Sequence, residues 1–374
     1  MAGMIKGFAT PDGTEGYARR MAPHASPGHF RLLEGCQASS VGIGTYLGGE
    51  DAAIDAQYGD AIARALARGA NVIDTAVNYR CQRSERVVGE AIGALVSTGA
   101  LRREEAIVAT KGGFIPFDGV VPTDPSAYVT ATYLRPGILE PGDVVAGCHC
   151  MTPRYLRDQL ERSRRNLGLE TLDVYYLHNP EIQLGAIDHS EFLNRMRAAF
   201  ATLEQAVANG EIRRYGTATW SGYRQPASAP DLLDLAELVR AARDVGGDNH
   251  HFKVVQLPYN LAMPEAFTRA NQRLDNKTVS VLEAAERLGL YIMASASIYQ
   301  GQLARNLPSV VGEFLPGLTT DAQRALQFVR STPGIGTALV GMKGAAHVEE
   351  NLKLATVPPV PWEQFQRLFS TAGR

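Results

Sequence analysis

IDTAVNY, residues Ile73–Tyr79, opens as a short apolar run, reaches an acid at Asp74, and passes into a loop that ends on a phenol. A pattern with helical spacing follows over Ser84–Leu95, opening on Ser84-Glu85, suitable chemistry for a first turn. The same order, an apolar strand and then a helix, recurs along the chain. Strands are expected at Val41–Gly44, Asn71–Asp74, Ile107–Lys111, Leu172–Leu177, Arg213–Thr217, Lys253–Leu257, Tyr291–Ala294 and Gly336–Val340. Helical spacing is read at Ile54–Arg68, Pro153–Leu167, Glu191–Ala208, Pro230–Arg243, Thr278–Leu288, Ala322–Arg330 and Ala345–Ala355. Glycines at Gly69, Gly168 and Gly289 stop three of these helices.

Alternating strands and helices imply parallel pairing with right-handed crossovers. Eight such units without a break in composition point to one closed (β/α)8 barrel over residues 1–374, with Phe30–Val41 as an N-terminal hairpin. A doubly wound sheet is the alternative fold. Against it, GIGTYLGGE (Gly42–Glu50) has the wrong glycine spacing for a dinucleotide fingerprint, and no acidic ribose ligand follows. One connection breaks the rhythm. Residues 112–152, after the third strand, carry several prolines and the aromatic residues Phe114, Phe117, Tyr128 and Tyr133. An insertion this long, leaving the C-terminal face, reads as a lid over the barrel mouth or as a surface arm.

Composition narrows the function. The 374 residues are 45% hydrophobic and carry a net charge of −2 with acids and bases interspersed, so no basic stripe marks a nucleic-acid partner. No apolar run reaches membrane-spanning length, and the first twenty residues lack the apolar core of a signal peptide, so a cytoplasmic protein is expected. Four cysteines do not make a disulfide framework. Cys148-His149-Cys150 has the donor types of a zinc site, but no second cluster stands at a completing distance, and no metal is expected.

The chemistry gathers on strands two to four. Asp74, Lys111 and His178 fall at or just past the C-terminal ends of those strands, and Tyr79 lies in the loop after the second. A barrel brings all of them to one mouth. Lys111 follows the apolar run IVAT, so its ammonium is expected to be partly desolvated and to take Asp74 as counter-ion. A cation beside the Tyr79 phenol favours phenolate and is expected to lower its pKa from the usual value near 10. His178 can hydrogen-bond a substrate oxygen.

Taken in order, GIGT (Gly42–Thr45), IDTAVNY with SERVVGEAI (Ser84–Ile92), ATKGG (Ala109–Gly113), LETLDVYYLHNP (Leu169–Pro180), GEIRRYG (Gly210–Gly216), VVQLPYNL (Val254–Leu261) and LVGMK…VEENL (Leu339–Leu352) resemble an aldo-keto reductase from Val41 to Leu352. The resemblance implies a barrel that binds NADPH across its C-terminal mouth, with NADH the lesser expectation, and reversibly reduces a carbonyl to an alcohol. By the same resemblance Tyr79 is the general acid, Lys111 paired to Asp74 tunes it, and His178 steers the small-molecule carbonyl substrate.

Cofactor positions implied by the resemblance are Gly44, Thr45, Thr219, Gln256, Ser295, Ser297, Gly341, Lys343, His347, Glu350 and Asn351. Gln256 would lie near the nicotinamide amide, Lys343 on the 2′-phosphate, and Glu350 and Asn351 on the adenine. The chain departs from the family pattern in three places. His347 stands where an arginine is common. Ala218 and Thr219 replace the serine and asparagine that clasp the carboxamide. Ala294-Ser295-Ala296-Ser297 replaces a stacking aromatic, leaving Trp220 as a nearby surface and the two serines for the pyrophosphate. Two other functions stay open: a redox-neutral epimerisation on a tightly held cofactor, and a non-catalytic cofactor-sensing subunit.

Overall fold

The computed structural model describes residues 3–371. All eight expected strands form: β1 Val41–Gly44, β2 Val72–Asp74, β3 Ile107–Gly112, β4 Leu172–His178, β5 Ile212–Ala218, β6 Phe252–Pro258, β7 Tyr291–Ser295 and β8 Ile335–Gly341. They pair in parallel in chain order and close β8 onto β1, which makes the barrel. The connecting helices are α1 Ala52–Ala67, α2 Arg83–Ser97, α3 Pro153–Leu167, α4 His189–Ala208, α5 Leu235–Gly246, α6 Val281–Arg287, α7 Asp321–Ser331 and α8 Ala345–Leu352. Side-chain caps start several of them. Asp51, Asp188, Asp234, Ser280 and Thr320 each accept the backbone N–H three residues on, satisfying a donor the helix leaves open.

Alternation along each strand sorts the core into two layers. Ile43, Ile73, Val108, Tyr175 and Val255 face the helices, whereas Val72, Ile107, Ala109, Val174, Tyr176, Val254 and Met293 fill the barrel. The N-terminal hairpin, Phe30–Leu33 against Cys36–Ser39, adds Leu33, Cys36 and Ala38 to the inner layer. It plugs the N-terminal end, and Arg31 pins it by donating to the carbonyls of Arg330 and Ile335. That leaves the C-terminal end as the open mouth. None of the described helices is long and apolar enough to cross a membrane.

Ahead of the hairpin a helix not expected from the sequence, Pro11–Met21, forms because Thr10 caps it and Pro11 suits its first position. Two local expectations change. The helix expected over Thr278–Leu288 begins only at Val281. Ahead of it Ala270–Leu274 and Lys277–Ser280 form a hairpin turned at Asp275-Asn276, both left-handed, a conformation that short polar side chains tolerate. The helix expected from Pro230 starts at Leu235, where Asp234 supplies the cap. Within residues 112–152, a short helix Pro125–Val129 runs into a π-turn over Thr130–Leu134. The aromatic residues there pack on one another: Phe117 against Tyr128, Tyr128 against Tyr133, and Tyr133 against Tyr155 of α3.

Candidate active site

Asp74 ends β2, Lys111 is the penultimate residue of β3, and His178 ends β4, so adjacent parallel strands deliver them side by side. The Lys111 ammonium is fully buried and all its donors are used. It reaches Asp74 Oδ2 at 2.7 Å, the Thr75 carbonyl at 2.8 Å and Tyr79 Oη at 3.2 Å. Burial pulls its pKa down, but Asp74 and Tyr79 together push it up by more, so it stays charged. The other carboxylate oxygen, Asp74 Oδ1, accepts Gln256 Nε2 at 2.7 Å.

The expectation for Tyr79 needs correcting. Its pKa is raised, not lowered, because burial of the phenol outweighs the pull of Lys111, and the Asp74 charge adds to burial. Tyr79 is therefore a protonated phenol at neutral pH. Since Lys111 donates to its oxygen, its own O–H is free to donate elsewhere. His178 is neutral: burial and the nearby Lys111 charge push its imidazole well below the ordinary range. Its ring lies 5.9 Å from that of Tyr79, and its Nδ1 is buried without a partner.

These groups wall a cavity of about 910 Å³ at the open mouth, at the upper end of the usual range for ligand sites. Asp74, Tyr79 and His178 line it together with Gly44, Thr45, Thr219, Gln256, Ser295, Ser297, Gly341, Lys343, His347, Glu350 and Asn351. Of the expected catalytic and cofactor-binding residues, Lys111 alone is absent from the lining, since it stands behind Asp74 and Tyr79. Some polar atoms of the wall are already engaged: Thr45 Oγ1 donates to the Asp74 carbonyl and Ser297 Oγ to that of Ala294. Others are not. Thr219 Oγ1, Asn351 Oδ1 and Asn78 Oδ1 are buried and unpartnered.

Several contributors escaped the sequence reading. Arg305 joins Lys343 and His347 on the lining; its only signal was its charge, in a loop with no periodic pattern. Tyr46 and Leu47 are large apolar side chains that line the cavity and remain exposed, as does Trp220, the surface expected there. Of residues 112–152, only Phe114 lines it. Tyr79 itself is followed by three left-handed residues, Arg80, Cys81 and Gln82, with φ of 48°, 53° and 69°. No glycine eases that turn. Buried Arg80 holds it by donating to the Gly49 carbonyl at 2.8 Å and to Asp55 at 2.5 Å. His149 of the Cys-His-Cys run has both ring nitrogens in hydrogen bonds, to the His178 carbonyl and to Gln183, which leaves no lone pair for a metal.

Comparison with known proteins bears on the fold and the family. An NADH-specific methylglyoxal reductase of Escherichia coli is 28% identical over 187 residues, 48% of each chain. A 6-dehydroglucose reductase of Novosphingobium aromaticivorans is 26% identical over 203 residues, 52% of this chain and 53% of that one. The chain thus spans about half the length of these curated relatives. The crystal structure of an aldo/keto reductase from Klebsiella pneumoniae with NADP and acetate superposes with a TM-score of 0.60 at 22% identity, over 92% of this chain and 96% of that one. The family model for the aldo/keto reductases matches residues 40–306, from the foot of β1 into the loop after β7, and the chain belongs to that family.

Proposed function

We propose that the protein is a nicotinamide-dependent carbonyl reductase in which Tyr79 protonates the carbonyl oxygen. The observation that carries this reading is the buried Lys111 ammonium on Asp74 and Tyr79 at the wall of the cavity. A cation held beside a neutral phenol costs little in the resting state and stabilises the phenolate that forms as the proton leaves. Neutral His178 is the second polar group on that wall and would orient the substrate oxygen. The reductase activities named for two relatives support the reaction class.

The lining fits a dinucleotide. Thr219 and Asn351 offer unpartnered buried oxygens, Lys343 and Arg305 offer cations for phosphate, and His347 offers a ring N–H. The N-terminus of α8 adds backbone N–H groups beside Gly341 and Lys343. Once bound, such a cofactor supplies the hydride that the protein's own side chains cannot. Lys343 favours NADPH, while the NADH-specific relative makes the comparison with NADH necessary. On the substrate side, Tyr46, Phe114 and Trp220 offer apolar surface for a bulky neutral ketone or aldehyde.

A panel of aldehydes and ketones, including oxidised sugars, assayed with NADPH and NADH in parallel, tests the reading. Tyr79→Phe should lower kcat/KM by about 10²–10⁴-fold while leaving cofactor affinity unchanged. Unchanged turnover in that variant would remove Tyr79 as the acid.

A further inference from the structure

The long segment between β3 and α3 returns to the barrel beside β4 and brings His149 with it. Asn179 N donates to the Ala218 carbonyl at 2.6 Å, so by strand alternation the preceding His178 carbonyl faces β3. β3 turns away there, at Gly113 with φ 145°, and leaves that carbonyl without a strand partner. His149 fills the gap, with Nε2 at 2.8 Å from His178 O. A side chain at residue 113 would close it, because a Cβ there would sit 2.8 Å from His149 Nε2 and 2.9 Å from His178 O. The neck of the segment is tied by Ile115 N to the Cys148 carbonyl at 2.8 Å and by Cys150 N to the Gly113 carbonyl at 2.9 Å.

A chain of contacts fixes the histidine's tautomer. Arg195 Nη1 donates to Gln183 Oε1 at 2.7 Å, which turns the amide nitrogen of Gln183 toward His149 Nδ1 at 2.8 Å. Nδ1 accepts, so Nε2 carries the hydrogen and donates to His178. Phe114 packs perpendicular to both rings, with centroids 5.5 Å from His149 and 4.9 Å from His178. The end of β4 is therefore held from two sides, by a hydrogen bond on its backbone and an aromatic wall on its side chain.

We propose that His149 is a positioning residue: its hydrogen bond to the His178 carbonyl sets the angle at which the His178 imidazole meets a substrate oxygen beside Tyr79. The proposal rests on the reading of His178 as the substrate-orienting group. Two variants separate positioning from simple support. His149→Phe keeps a ring in place but removes both hydrogen bonds, and His149→Gln keeps an amide donor near the Nε2 position.

The readouts are steady-state kinetics and ¹⁵N-histidine NMR of the full chain. His149→Phe should raise the carbonyl KM and lower kcat/KM about tenfold, the effect of losing one hydrogen bond to a positioned group. Its cofactor KM should stay at the wild-type value, and the His178 ring resonances should shift. His149→Gln should recover most of the loss and return those resonances. Wild-type kcat/KM in His149→Phe, or equal losses in both variants with cofactor binding impaired as well, would overturn the proposal. If the wild type reduces no carbonyl, the reading of His178 fails while the spectrum still decides about His149: resonances of His178 unmoved in His149→Phe refute the positioning.

Discussion

Lys111 is where electrostatics and the proposed catalysis meet in one atom. Its ammonium is the charge that keeps Asp74 tolerable in a buried wall, and it is also the proposed stabiliser of the Tyr79 phenolate. Those two roles separate by mutation. Lys111→Met strands the Asp74 carboxylate with Gln256 as its remaining side-chain partner, and should cost about 3–5 kcal/mol of stability, as other broken buried pairs do. Adding Asp74→Asn removes the stranded charge and should return much of that stability. It should not return turnover, because the phenolate would still lack its cation. Denaturant unfolding and kcat/KM measured on the wild type and both variants check this, and recovery of activity in the double variant would contradict the assigned role. Such residues were legible in the sequence because each ends an apolar strand. The sign of the Tyr79 shift was not, since it depends on how completely the loop encloses the phenol, and no local pattern reports that.

Strands β5 and β6 show what an element demands of one position. Gly216 sits where their register shifts, and a Cβ there would lie 1.7 Å from the Val254 carbonyl oxygen, with the Tyr176 ring 3.2 Å away. The backbones approach that closely only because residue 216 has no side chain. Gly216→Ala should therefore part β5 from β6, lowering stability by about 3 kcal/mol or more and loosening Thr219 at the cavity. Thermal unfolding measures the first effect and cofactor affinity the second; an unchanged Tm would show that the strands can slide without cost. The eight strands could be read from the sequence because burial on both faces makes each a short apolar run. The hairpin at Asp275-Asn276 could have been read too, from a polar two-residue turn before the β-branched Thr278 and Val279, but the helical spacing downstream masked it. The Gly113–His149–Gln183–Arg195 chain was beyond reach, because it joins residues distant in sequence through contacts that exist only once β3 has turned away.

Across the whole molecule, buried histidines govern how the fold responds to acid. His29 lies under the barrel on the Gly69 carbonyl, His149 at the neck of the long segment, and His250 just ahead of β6. Burial is the largest cause in each case, and each is lowered from 6.5 to about 4. His178 is lowered further, by burial and by Lys111. A depressed folded-state pKa means that the unfolded chain takes up protons the folded chain refuses. The stability these groups contribute is complete above pH 6.5 and is lost as the pH falls from there toward 4. Glu85 and Glu181 act in the opposite sense, since burial raises both and their protonation eases the folded state as the pH drops. Four histidines against two carboxyls leave a net uptake of protons on unfolding, each worth about 1.4 kcal/mol per pH unit. Calorimetry between pH 7 and pH 4 should then show Tm falling steadily as the pH is lowered, with the decline beginning at about the ordinary histidine pKa. His149→Gln, which removes one of the titrating groups, should make that decline shallower, whereas a Tm that holds level or rises over this range would mean that the buried carboxyls outweigh the histidines.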